Sequence, residues 1–405
     1  MKIVEISNAD LPGRLFNGYD LHITLRRGGY DASQIVLKKQ SNVNTVQGVL
    51  DDFTLSAQIR AWEWGHSVSH TIIPYGYKIK EMKTFKEADI VHCHILHNNF
   101  VSIFDYPDFL GRQGSVWTIH DPWIFTGNCI HPLDCDKWLT GCGNCPRLHK
   151  DTFDMAEDNT SFMWSLKRSV LGNINPHIVV ASEFMKRYVE NSPLTRHFRN
   201  IEVIPFGIDI NKYKSKENKS SKKDFGISEE QIVIGFRAED FWVKGCQYLY
   251  EALLQIEQNE NIYLLSVGGG NIPQQIRSKY NLIELGWVND LDKMLSFWGA
   301  VDIFIMPSLA EGFGVMALEA MASSCAVVCF AGTVVAENTD APRCGIEVQY
   351  KSAAALADAI QHLLHNKEEM VYRGKLGLER VNKYFTYDDY VRRHIELYNN
   401  ILEDG

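Results

Sequence analysis

Apolar residues recur along this chain in short continuous runs. Between the runs lie stretches whose apolar positions repeat every three or four residues. The first pattern marks buried strands and the second marks amphipathic helices. In the N-terminal half, "KIVEIS" reads as a buried strand and "NGYDLHITLRRGGY" as a helix ending at Gly28 or Gly29. "ADIVHCHI" and "SVWTIHD" are strands; in the first, Val91, Cys93 and Ile95 alternate with His92 and His94. "HIVVASEFMKRYVEN" is a strand followed by a helix capped by Ser182, and "IEVIPFGID" is a further short strand. Asn211–Gly226 is Lys/Ser-rich and poor in apolar residues, which predicts a linker or surface loop.

The alternation then restarts. Strands are predicted at "QIVIGF", "IYLLSVGGG", "VDIFIMPS" and "CAVVCFAG", and helices at "CQYLYEALLQIE", "LDKMLSFWGA" and "VMALEAMASS". Further helices cover Ala353–Leu364 and the last forty residues. Strands alternating with helices build parallel sheets. Two such series predict two doubly wound domains, and ligands on such sheets bind beyond the carboxyl ends of the strands. The expected division is 1–205, 206–383 and a terminal helix over 384–405.

Composition narrows the class. A chain of 405 residues exceeds one compact core. Its 45% hydrophobic and 22% charged residues are those of an ordinary globular protein. The net charge is −9, and residues 1–205 carry 21 basic against 22 acidic side chains, so no nucleic-acid-binding face is indicated. "MKIVEI" enters a strand pattern with no secretory h-region, and no run reaches the roughly 18 apolar residues of a membrane span. A cytoplasmic location with reduced cysteines is expected.

The chemistry concentrates in "PSLAEGFGVMALEAMAS". A strand ends at Pro307, a loop carries Glu311, Gly312, Phe313 and Gly314, and a helix opens near Val315 and contains Glu319. The glycines admit a ligand close to the backbone, and a helix N-terminus favours phosphate. The two glutamates are separated by about 12 Å at helical rise, too far for an acid/base dyad. That spacing suits gripping two ends of one extended ligand. The alternative is a solvated loop Glu and a surface helix Glu.

This stretch resembles glycosyltransferase family 4, retaining enzymes of the GT-B fold, whose signature is two glutamates separated by seven residues and opening with Glu-Gly-Phe-Gly. Other segments match in order over most of the chain: "ASEFMKRYVENSPL", "VIPFGID", "VGGG", "ELGWVND" and "VDIFIMPSLAEGFG". The resemblance implies two Rossmann-like domains facing a central cleft. It implies transfer of a sugar from a nucleotide diphosphate donor to a saccharide or lipid-linked acceptor, with the anomeric configuration retained and no catalytic metal. It assigns Glu311 to the donor sugar hydroxyls, Glu319 to the ribose, and the backbone around Phe313 and Gly314 to sugar and phosphate. Gly268, in "VGGG", joins this donor set. Arg237 and Lys244, in "GFRAEDFWVKG", are the candidate cations for the diphosphate; Arg237 also reads as a surface ion pair beside Glu239 and Asp240. A leaving diphosphate gathers negative charge, so cations there assist bond cleavage. On the acceptor side, Gly13 and Arg14 follow the first strand, His120 and Asp121 end the strand "SVWTI", and His94, His97 and Asn98 form a rim. His120 takes the place of a family histidine that lines the catalytic cleft. The last helix crosses back to the N-terminal domain, with Tyr390, Ile395, Tyr398 and Leu402 on its apolar face.

Four of the nine cysteines fall in "CIHPLDCDKWLTGCGNC": Cys129, Cys135, Cys142 and Cys145. The last pair has zinc-knuckle spacing, and all four can close around one tetrahedral ion. Free thiols and two disulfides are the alternatives. The stretch belongs to a loop over 126–149 that resembles a subfamily insertion of bacterial polysaccharide enzymes, and its role is expected to be structural.

Weaker signals point elsewhere. "GFGVMA" fits the dinucleotide pattern G-x-G-x-x-A, but comes late in its domain instead of after the first strand. "DCD" and "DLD" imitate a metal-binding triplet. Lys78, Lys80, Lys83 and Lys86 fall on one predicted helix, which reads as a solvated face or as a surface resting on anionic lipid at the inner face of a membrane. The rival functions are a nucleotide-sugar hydrolase or epimerase of the same fold, and a non-catalytic sugar-binding subunit.

Overall fold

The computed structural model describes residues 1–11, 13–50, 53–150, 153–214, 221–257 and 260–403. Two compact units result: residues 1–205 with 391–405, and residues 206–390.

The first unit is built on a seven-stranded sheet. Its strands are β1 (Lys2–Ala9), β2 (Asp31–Lys38), β3 (Val46–Gly48), β4 (Ile90–Cys93), β5 (Ser115–Ile119), β6 (His177–Val180) and β7 (Ile201–Val203). The order is β3-β2-β1-β4-β5-β6-β7, with every pairing parallel. β4 and β5 are buried at every position. A parallel strand covered on both faces has no solvent side, so His92 in β4 and His94 just beyond it lie inside with the apolar residues.

The second unit holds β8 (Ile232–Arg237), β9 (Ile262–Val267), β10 (Asn281–Glu284), β11 (Ile303–Met306), β12 (Ala326–Phe330) and β13 (Ile346–Val348). Their order is β10-β9-β8-β11-β12-β13, again all parallel. In each sheet the order reverses once, between β1 and β4 and between β8 and β11. A crevice opens beyond the strand ends at such a switch point.

Three expectations change. The stretch Asn211–Gly226 is not simply a linker: a helix covers Ile210–Lys214 and a 3-10 turn covers Ser221–Phe225, while 215–220 lie outside the described residues. Lys222 is buried there and pairs with Asp302 at 2.8 Å. The lysine-rich helix breaks at Met82 into Tyr75–Glu81 and Lys83–Lys86. Its charges are met locally, Lys80 by Asp105 and Asp108, Lys83 by Glu87 and Lys86 by Glu81. The terminal helix, Tyr387–Glu403, buries Tyr390, Val391, His394, Leu397, Tyr398 and Ile401. Tyr390 and Tyr398 are buried as expected, Ile395 is half-buried and Leu402 is exposed. No described helix is long and apolar enough to cross a membrane.

Candidate active site

In the second unit the candidate residues gather at the carboxyl ends of β8 and β11. β8 ends at Arg237, and the chain turns through Trp242–Lys244 into the helix Cys246–Gln255. Gly245 makes that turn with φ +70, and a Cβ there would stand 1.9 Å from the Pro307 carbonyl oxygen. Only glycine permits so close an approach in that conformation. The Leu309 N–H donates to the Val243 carbonyl at 2.8 Å, which fastens the loop after β11 to the same turn. As a result Lys244 Nζ lies 2.8 Å from Glu311 Oε1, and Ser308 Oγ donates to that oxygen at 2.8 Å. Both members of the ion pair are largely but not fully shielded.

Gly312–Gly314 leads into the helix Val315–Ala322, with Gly314 at φ +84 as its N-cap. The Phe313 ring is buried against Phe206 and Phe385, and its carbonyl accepts from Asn338 Nδ2 at 2.6 Å. Phe313 therefore anchors the loop, leaving only its backbone for a ligand. Glu319 does not join Glu311. Tyr213 Oη donates to Glu319 Oε1 at 3.1 Å, and Trp298 gives a second hydrogen bond. Burial outweighs both and pushes the Glu319 carboxyl up to about 7. Arg237 pairs with Glu239 at 2.7 Å and lies over the Trp287 ring, so the ion-pair alternative describes its contacts in this structure. Gly268, at φ +98, packs against the Ala238 carbonyl, where a Cβ would stand 2.4 Å away. Asp290 of "DLD" caps the helix Leu291–Ala300 by accepting from the Lys293 N–H.

In the first unit the middle of β1 and the ends of β4 and β5 carry a buried polar chain. Glu5 and His92 face each other in register across β1 and β4. Glu5 Oε2 lies 2.6 Å from His94 Nε2 and 3.1 Å from His92 Nδ1. Tyr398 Oη lies 2.6 Å from His92 Nδ1 and 3.2 Å from Glu5 Oε1, and Thr118 Oγ1 is 2.7 Å from His92 Nε2. His94 Nδ1 then meets His120 Nε2 at 3.3 Å. Burial disfavours the Glu5 carboxylate, but the charges and hydrogen bonds of His92 and His94 outweigh it and hold Glu5 well below the usual range. Burial also pushes His94 down to about 4 and His120 well below its usual value, so both imidazoles are neutral near pH 7. Gly18, at φ +80, makes room for this contact: a Cβ there would stand 2.6 Å from His94 Nε2 and 2.8 Å from Glu5 Oε2.

The rim reading of His94 is thus corrected. It is buried, because the end of a central strand lies inside the sheet's cover. His97 pairs with Asp121 at 3.0 Å and stacks on Trp123, while Asn98 takes a left-handed turn at φ +65. Gly13 turns the loop after β1 at φ +73, and Arg14 is held by Asp20 and Tyr19. Among the described residues, Glu5, His92 and His94 form the one set of metal-ligand types with all ligand atoms within 4.8 Å. Their nitrogens and oxygens are committed to each other, to Thr118, to Tyr398 and to His120.

Sequence reasoning missed Glu5, His92, Tyr398, Ser308 and Tyr213. Glu5 had a legible signal, a carboxylate in the middle of an apolar strand. The partner of Glu319 had none, since Tyr213 lies in a stretch of surface composition.

Comparison with known proteins agrees with this architecture. Over 98% of this chain and 99% of the other, the structure resembles that of the Anabaena protein Alr3699/HepE in complex with UDP and glucose, with TM-score 0.68 and 15% identity. The fold is GT-B. Residues 231–366 match the family model for glycosyl transferases group 1. The chain is 25% identical over 208 residues to the uncharacterized glycosyltransferase MJ1607 of Methanocaldococcus jannaschii, covering 50% of this chain and about half, 53%, of that protein. It is 24% identical over 333 residues to N-acetyl-alpha-D-glucosaminyl L-malate synthase of Bacillus anthracis, covering 81% of this chain and 78% of that one.

Proposed function

We propose that the chain is a glycosyltransferase that moves a sugar from a nucleotide diphosphate sugar to a saccharide or lipid-linked saccharide acceptor, retaining the anomeric configuration. The observation that carries this reading is the Lys244–Glu311 pair at the switch point of the second sheet, beside the glycine loop and the helix N-terminus. A donor diphosphate competes with Glu311 for the Lys244 ammonium. Its arrival frees the carboxylate to accept from sugar hydroxyls, so one exchange of partners binds both parts of the donor. As the sugar bond breaks, Lys244 and the loop N–H groups meet the charge that develops on the diphosphate. Glu319 takes the ribose hydroxyls.

In the first unit, the hydrogen-bond chain assigns the His120 tautomer. Ionised Glu5 accepts from His94 Nε2–H, which leaves His94 Nδ1 to accept from His120 Nε2–H. His120, held in this tautomer, is the imidazole we assign to orienting the acceptor. Glu5 and His94 are positioning residues for it.

A screen of nucleotide diphosphate sugars tests the reading, followed by analysis of the product's anomeric configuration by NMR. Turnover of one donor class with net retention is expected. Lys244→Ala should lower turnover while the fold is kept, and unchanged rates in that variant would overturn its assignment.

A further inference from the structure

The loop after β5 brings all four of its cysteines to one place. Cys129, Cys135, Cys142 and Cys145 line a single cavity of ≈ 30 Å³, walled also by Thr126 and Trp138. None of them is in a disulfide. The backbone at the Cys-x-x-Cys turn is unusual: Gly141, Cys142, Gly143 and Asn144 all have positive φ, at +130, +57, +87 and +46. Non-glycine residues seldom adopt that conformation without a reason. Backbone N–H groups from outside the turn reach two of the sulfurs. The Gly127 N–H donates to Cys142 Sγ at 3.1 Å, and the Arg147 N–H donates to the Cys145 sulfur.

Cations surround the same loop. Lys137 Nζ donates to the carbonyls of Gly143 and Asn144, at 3.2 and 2.6 Å, and so clamps the turn. Lys167 is fully buried beneath it, with Nζ on the carbonyls of Trp123 and Thr126 at 2.7 and 3.0 Å. A buried ammonium is costly without an anion near it. Arg147 ties the far side of the loop to the carbonyls of His131 and Pro132, between the first two cysteines.

We propose that Cys129, Cys135, Cys142 and Cys145 bind one structural zinc ion, with Lys167 and Lys137 balancing the charge of the tetrathiolate centre. Four thiolates and one Zn²⁺ carry a net charge of −2, which cationic side chains beside the loop offset. No three of the four sulfurs lie within 4.8 Å of one another. Zinc bound at about 2.3 Å to each sulfur places them closer than that, so loading must contract the cavity. The four thiol protons leave to solvent as the metal binds. The ion's work is to hold residues 126–149 folded, and it takes no part in glycosyl transfer.

Metal analysis of the full chain, purified without added metal or chelator, tests the site. About one zinc per chain is expected, released by a mercurial in step with four thiols. After chelation, Co²⁺ should restore the charge-transfer and visible bands of a tetrahedral thiolate centre, and proteolysis in 126–149 should speed up in the metal-free state. Cys142→Ser should lose the zinc, and Lys167→Met should release it faster to chelator. Metal-free protein with four reactive thiols, with no titratable thiols in the loop, or with stoichiometric iron would each overturn the proposal. If Cys142→Ser does not fold, the wild-type stoichiometry and the cobalt spectrum still decide. None of these readouts depends on glycosyl transfer.

Discussion

Glu319 shows what one side chain's surroundings do. Its carboxyl is pushed up to about 7 because it is shielded from water, with Tyr213 and Trp298 as its hydrogen-bond partners. Ribose hydroxyls donate to a carboxylate, so only the ionised form binds them well. Affinity for a nucleotide diphosphate sugar should therefore rise with pH, being about tenfold weaker one unit below that pKa than well above it. A diester donor has no phosphate that titrates in this range, and Glu319→Gln should flatten the profile; calorimetry from pH 5.5 to 8.5 reads both effects. Glu319→Ala should cost about 1–3 kcal/mol of donor affinity, and unchanged affinity would remove Glu319 from the site. At Gly245 a methyl group meets the Pro307 carbonyl, and φ is positive as well. Gly245→Ala should separate Lys244 from Glu311 and lower turnover as Lys244→Ala does, with a lower melting temperature besides.

At the scale of elements, strand ends and one helix decide the site. β1, β4 and β5 deliver Glu5, His92, Thr118 and His120 to one edge because their parallel registers align them. The terminal helix completes this cluster from more than 300 residues away, through Tyr398 on His92 and His394 stacked against the same ring. Arg393 of that helix also donates to the Val203 carbonyl. Tyr398→Phe strands a buried hydrogen-bond partner and should cost about 1–3 kcal/mol by denaturant unfolding. Leu397→Ala, which only opens space, should cost about 2–5 kcal/mol. The two separate by their effect on His120: Tyr398→Phe should shift the pH profile of turnover, and Leu397→Ala should leave its shape unchanged.

For the whole molecule, buried histidines set the response to acid. His22 and His94 are pushed down to about 4 by burial, and His70 and His120 lie well below their usual value. The unfolded chain takes up these protons below about pH 6.5, while the folded chain does not until it is near 4 or lower. Stability is thus full above pH 6.5 and is lost as pH falls from there toward 4. Glu5 acts in the same sense at lower pH, because its folded value is depressed. Glu319 opposes them: its raised value favours the folded state below about 4.5, an advantage lost as pH rises through about 7. Four histidines outweigh one carboxyl, so the melting temperature should fall steadily from pH 7 to 4.5, and a flat profile would contradict the buried assignments.

The sequence by itself determined the strand–helix alternation, the two parallel-sheet units and the position of Glu311, Gly314 and Glu319 on a strand–loop–helix. These follow from local periodicity and from glycines that a turn requires. Only the tertiary structure decided who meets whom. Lys244 reaches Glu311 because two loops end side by side at a switch point, although 67 positions separate them. Glu5 joins His94, and Tyr398 joins Glu5 and His92, across still longer separations. Tyr213 meets Glu319 from a stretch that composition assigns to the surface, and the terminal helix buries Tyr390 and Tyr398 as its spacing suggested but leaves Leu402 exposed. Local pattern records which residues want burial or a given backbone angle. It holds no record of the distant partner that satisfies a buried charge, because that partner is brought in by packing of the whole sheet.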